Sequence, residues 1–168
     1  MQVSRNTIHV LLGNSDRRLN NLIEVAVRDV CYGHAQAECI VSNRLDDMLH
    51  RGCRDNFDLL VIAPLHLVSG PVSHASQVSM HETREVIQSI KATRNIPIIV
   101  IGVGPQEDQL FLEAGADQTF GCLIDRDHLR VTLRHLLNLA EPVEEEPGAS
   151  RWSFGAGLFR AFQKLGQS

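Results

Sequence analysis

The chain has 168 residues, 43% hydrophobic and 21% charged, with a formal net charge of −4; that suits one domain with a proper core plus a short appendage. The acidic balance speaks against a nucleic-acid binder held by a global positive field. No stretch approaches the length of a transmembrane helix, and the polar Met1–Thr7 does not open a signal peptide.

Short apolar runs alternate with helically spaced segments, the pattern of a parallel sheet with crossover helices. Ile8–Leu12 reads as strand one, and Gly13-Asn14-Ser15 turns the chain. Asp16 can cap a first helix whose apolar residues Leu19, Leu22, Ile23, Ala26 and Val30 keep helical spacing as far as Gly33. Glu38–Val41 is strand two, followed by a short helix over Asp46–Gly52. Leu59–Ile62 is a continuous apolar run, as expected of a strand buried on both faces. The segment Pro64–Met80 reads as irregular, longer than a usual strand-to-helix connection, and serves either as a bland insertion or as a lid or partner-docking loop. Val86, Ile87 and Ile90 mark helix three, Ile96–Ile101 strand four, and Pro105 the first turn of helix four. Gln118–Phe120 is strand five. Leu129, Leu133, Leu136, Leu137 and Ala140 line a long last helix. Five strands alternating with five helices predict an α/β, flavodoxin-like (βα)₅ doubly wound parallel sheet, with function at the carboxyl ends of the strands. Cys31, Cys39, Cys53 and Cys122 form no CxxC pair and read as reduced, mostly buried thiols in a cytoplasmic protein.

Three segments, Phe57-Asp58-Leu59-Leu60-Val61-Ile62, Asn95-Ile96-Pro97-Ile98-Ile99-Val100-Ile101 and Leu112-Glu113-Ala114-Gly115-Ala116-Asp117, resemble the receiver domains of two-component response regulators. The resemblance spans about Thr7 to Leu139 and rests on framework motifs, which speak for fold more than activity. It implies phosphoryl transfer from a histidine kinase to one aspartate, with Mg²⁺ held by acidic residues and a lysine adding positive charge. On this chain the acidic pair ending strand one corresponds to Gly13 and Asn14, and the phosphoacceptor to Ala63. The hydroxyl ending strand four corresponds to Gly102, the lysine ending strand five to Cys122, and the switch aromatic to Thr119. A methyl group accepts no phosphoryl group, and the neighbours Ile62 and Pro64 offer no substitute. Gly13 and Asn14 together supply one neutral side-chain oxygen in place of two carboxylates, a poor nest for a hard cation. Asp16 lies two or three positions late and reads as a helix cap. These residues imply a degenerate pseudo-receiver: a phosphorylation-independent interaction module in signalling, regulation or assembly, with no catalytic residue and no cofactor.

Other chemistry is weaker. His66, His74 and His81 could in principle ligate zinc, but their spacing matches no compact metal motif, so no metal is expected. Gly102-Val103-Gly104-Pro105 could present backbone N–H groups to an anion, yet it lacks the full GxGxxG pattern and reads as a tight turn. No GxSxG nucleophile motif occurs. A rival reading remains: a flavodoxin-like domain binding a small ligand or anion near Gly13, Gly102 and Gly104.

Residues 1–140 form the receiver-like domain, 141–150 an acidic, Pro-containing linker, and 151–168 an amphipathic C-terminal helix. Phe154, Leu158, Phe162 and Leu165 share one side of a helical wheel, with Trp152 and Phe159 toward its edge and Ser153, Arg160 and Lys164 opposite. These six apolar residues are the candidate partner-binding set. Gly155 and Gly157 weaken the helix in isolation, so it forms on docking. Its own domain, a second protein and a membrane surface compete to cover it. A protein partner leads, by helix-in-groove docking. The membrane comes third because the preceding acidic run is repelled by anionic lipid. Homodimer formation or a larger assembly is the other form a partner takes. The resemblance implies a second contact face from helix four, strand five and helix five, around Gln106–Phe111, Phe120 and Arg130–His135.

Overall fold

Leu59–Ile62 and Ile98–Ile101 are buried along their whole length, as strands enclosed between two helix layers must be. The computed structural model describes residues 6–70 and 76–140. Within them strands β1 (Thr7–Gly13), β2 (Gln36–Ser42), β3 (Leu59–Ile62), β4 (Ile98–Ile101) and β5 (Gln118–Phe120) pair in parallel in the order β2-β1-β3-β4-β5. Helices α1 (Arg17–Cys31), α2 (Leu45–Arg54), α3 (Met80–Thr93), α4 (Pro105–Ala114) and α5 (Arg126–Leu136) connect and follow them. This is the expected flavodoxin-like (βα)₅ architecture.

Because successive strand side chains point to opposite faces, the sheet divides the apolar residues into two cores. Leu60, Ile62, Ile98 and Val100 pack with Met48 of α2, Ile87 and Ile90 of α3 and Phe111 of α4. Leu59, Val61, Ile99 and Ile101 pack with Ile23 and Val27 of α1 and Leu129 and Leu133 of α5. Asp16 caps α1, its carboxylate accepting from the Arg18 N–H. Asp125 caps α5 by accepting from the N–H groups of Asp127 and His128. Among the described residues no helix is long and apolar enough to cross a membrane.

Several boundaries differ from the sequence reading. β2 is an edge strand paired along the whole of β1, so it runs beyond Glu38–Val41; its half-exposed residues hid its length. Pro64–Met80 is not irregular throughout. It opens with a 3-10 turn at Pro64–His66, and Val68–Ser69 pairs antiparallel with Ser76–Gln77. α3 then starts on a capping box between Ser79 and Glu82. The last helix stops at Leu136 and not near Ala140, because Leu137 caps it and Asn138 turns to φ +52°. Of the four thiols only Cys31 is fully buried; Cys39 and Cys53 are partly so and Cys122 is exposed. Burial pushes the Cys39 thiol up to about 11. The linker 141–150 and the helix 151–168 lie outside the described residues.

Candidate functional site

β1, β3 and β4 carry Gly13, Ala63 and Gly102 to the carboxyl edge of the sheet, beside one another: the Ala63 N–H donates to the Gly13 carbonyl at 2.9 Å. The switch point of the strand order, between β1 and β3, is where this fold usually opens a ligand crevice. Here it is bridged. The backbone N–H and the hydroxyl of Ser15 both donate to the His66 carbonyl, at 3.1 and 2.8 Å, so the turn after β3 is tied to the turn after β1.

Each position matched to receiver chemistry is occupied in a different way. A Cβ at Gly13 would stand 2.8 Å from Met48 Cε and 3.0 Å from its Sδ, so the end of the flexible Met48 side chain lies where a side chain at 13 would begin. Asn14 is 1% exposed. Its amide donates to Asn20 Oδ1 and the Asp16 carbonyl, its own Oδ1 accepts from the Asp16 N–H, and Asn20 donates back to the Asn14 carbonyl. That closed set of bonds leaves its oxygen committed to holding the start of α1. Ala63 is 2% exposed and packs in the α1–α5 core with Val10, Leu12 and Phe120. Gly102 adopts φ +82°, a left-handed conformation that a serine or threonine at this place would resist; its N–H donates to the Phe120 carbonyl. Cys122 is exposed in the β5–α5 loop.

The residues present do not fit Mg²⁺. They offer no carboxylate at Gly13, Asn14 or Ala63, and the single amide oxygen is already engaged. The Gly102–Pro105 turn is also taken: Glu107 Oε2 lies 2.7 Å from the place of a Cβ on Gly104, so the chain's own carboxylate sits at the start of α4. Of the three loop histidines, His66 contributes its carbonyl to the bridge, His81 lies 3.4 Å from Glu85 on α3, and His74 is outside the described residues. An open cleft of about 690 Å³ adjoins the turn after β1, lined by Asn14, Ser15 and Asn20 together with Arg17, Arg18 and Asn21 of α1 and Val41 and Asn43.

On the helix-four to helix-five face the structure separates surface from core. Phe111 and Phe120 are buried, at 0% and 6% exposed. Leu110, Leu123 and Val131 are exposed instead. His128 lies against Phe120, ring centroids 5.1 Å apart. Sequence reasoning missed Met48 and the Ser15–His66 bridge, since neither carries a local signal. Trp152, Phe154, Leu158, Phe159, Phe162 and Leu165 lie outside the described residues.

No protein-family model matches the chain, and no curated protein does. Solved structures do. The receiver domain of a sensor histidine kinase from Pseudomonas aeruginosa PAO1, with a magnesium ion in its active-site cleft, matches with a TM-score of 0.58 at 16% identity, covering 79% of this chain and 99% of that one. A response regulator from Chloroflexus aurantiacus J-10-fl reaches 0.60 at 14% identity over 79% and 99%. An orphan response regulator of Helicobacter pylori reaches 0.54 at 18% identity over 79% and 98%. At these identities the likeness is one of architecture: the described residues carry the fold of response-regulator receiver domains.

Proposed function

We propose that this chain is a pseudo-receiver, a receiver-fold signalling or assembly module that works without aspartyl phosphorylation and is not an enzyme. The observation that carries this reading is the filled strand-end site: Ala63 in the position of the acceptor, packed in an apolar core, with Met48 occupying the space above Gly13. Its output is contact with a protein partner, through the aromatic face of Trp152, Phe154, Leu158, Phe159, Phe162 and Leu165 or through the α4–β5–α5 face. The small-ligand reading finds less support, because the β1–β3 crevice is bridged and the turn before α4 holds Glu107. Incubation with Mg²⁺ and acetyl phosphate should leave the intact mass unchanged. A stoichiometric gain of one acid-labile phosphoryl group would sink the proposal. Thermal melting against nucleotides and flavins separates the rival, since a ligand specific to the native state raises the midpoint.

A further inference from the structure

α1 and α5 lie on the same face of the sheet, where Ile23 and Val27 of the one pack in a core with Leu129 and Leu133 of the other. Outside that core the two helices leave a cleft of about 370 Å³. Arg18, Asn21, Leu22 and Val25 recur along α1 at helical spacing and so share one side of it. Arg126 and Arg130, one turn apart, do the same on α5. These two sides line the cleft, and among the described residues no carboxylate does.

The three guanidinium groups are engaged to different degrees. Arg130 meets Asp29 of α1 at 2.7 Å and Asp127 at 3.4 Å, which holds its side chain between the helices and offsets its charge. Arg18 and Arg126 are exposed, and among the described residues neither forms an ion pair. The acids nearest in sequence have other partners. Asp16 and Asp125 cap α1 and α5, each facing the positive end of its own helix dipole, and Glu24 lies 3.7 Å from Arg28. Because the two caps occupy the helix ends, attraction for an anion falls to the guanidinium groups.

A guanidinium presents a planar fork of donors that matches phosphate or carboxylate oxygens two at a time. Two such groups without an acidic partner suit the charge of about −2 on a phosphate monoester near neutral pH better than the single charge of a carboxylate. Beside them Val25 is apolar yet 47% exposed, a surface that the organic part of an ester would cover. We propose that the α1–α5 cleft binds a small phosphate monoester, its phosphate held by Arg18 and Arg126 and its organic group laid over Leu22 and Val25. The binding is non-covalent and apart from the strand ends, so it stands or falls independently of the pseudo-receiver reading.

Titration calorimetry of the full chain at fixed ionic strength tests this with phenyl phosphate, inorganic phosphate and benzoate. Phenyl phosphate should bind one site per chain, several times more tightly than inorganic phosphate, and benzoate should bind more weakly than phenyl phosphate. Arg18→Gln and Arg126→Gln should each weaken phenyl phosphate by about tenfold or more, the loss expected for one charged hydrogen-bonding partner, with unchanged far-UV circular dichroism. Arg17→Gln, in the neighbouring larger cleft, should bind as the unsubstituted chain does. The absence of saturable phenyl phosphate binding would overturn the inference, as would benzoate or inorganic phosphate binding equally well. Affinity that survives both the Arg18 and the Arg126 substitutions would return the ligand to the strand ends near Gly13 and Gly104. Affinity lost in Arg17→Gln alone would move it to the larger cleft, and either result discards the α1–α5 site.

Discussion

In the proposed reading Ala63 and Gly13 stand at the phosphoacceptor and at one of the metal-binding acids; Ala63 is buried in the core and Gly13 has Met48 over it. An aspartate at 63 would place a carboxylate among Val10, Leu12 and Phe120, where an uncompensated charge shifts its pKa upward and costs stability. Ala63→Asp is therefore expected to lose about 2–4 kcal/mol in urea unfolding at neutral pH, less as the pH falls and the new carboxyl takes up its proton. It should still gain no mass from acetyl phosphate, because Gly13 and Asn14 supply no metal ligand. A phosphorylated, fully stable Ala63→Asp protein would mean that the site is merely missing its acceptor. That an alanine and not a carboxylate follows β3 at position 63 was legible in the sequence. Met48 as the occupant was not, since it approaches Gly13 from another element.

The helices owe their starts to residues that sequence alone could partly name. Asp16 and Pro105 were legible because their neighbours keep helical spacing; Ser79 was hidden at the end of a segment that looked irregular throughout. Its hydroxyl accepts from the Glu82 N–H while the Glu82 carboxylate accepts from the Ser79 N–H, a reciprocal cap. Ser79→Ala should cost about 1 kcal/mol, read as a lower urea midpoint. The backbone bond from Ser79, then its hydroxyl, hold the Glu82 carboxyl below the ordinary 4.5. Bonds from the His128 and Asp127 N–H groups likewise lower Asp125 from 3.8. A carboxyl lowered on folding stabilises above its unfolded value and loses that contribution as pH falls through the folded one. The melting midpoint should therefore decline on acidification below pH 4.5, and Glu82→Gln should shallow that decline. A slope indifferent to Glu82→Gln would remove the cap from the acid response.

For the whole molecule, the question is which surface would meet the proposed partner. Arg130 of α5 pairs with Asp29 of α1 at 2.7 Å, so those two side chains are engaged within the domain, whereas α4 and α5 expose Leu110 and Val131. The tail offers larger anchors. Burying each Phe contributes roughly 1.5–3 kcal/mol, so two can dominate a modest interface. Phe159→Ala together with Phe162→Ala should abolish partner capture by the full chain while residues 1–140 keep a cooperative melt. Undiminished capture would move the contact to Leu110 and Val131, where substitution would then have to weaken it.

The sequence by itself determined the alternation of strands and helices and the parallel sheet, because these depend on local periodicity. Only the tertiary structure decided how the strand-end site is closed and where a cleft lies open. Ser15 and His66 are 51 residues apart when they bridge the crevice, and Met48 reaches Gly13 only once α2 has packed on the sheet. The α1–α5 cleft is likewise a space between two helices, each amphipathic in its own right. Contacts between elements distant along the chain leave no periodic trace in it, and these contacts shape the carboxyl edge of the sheet.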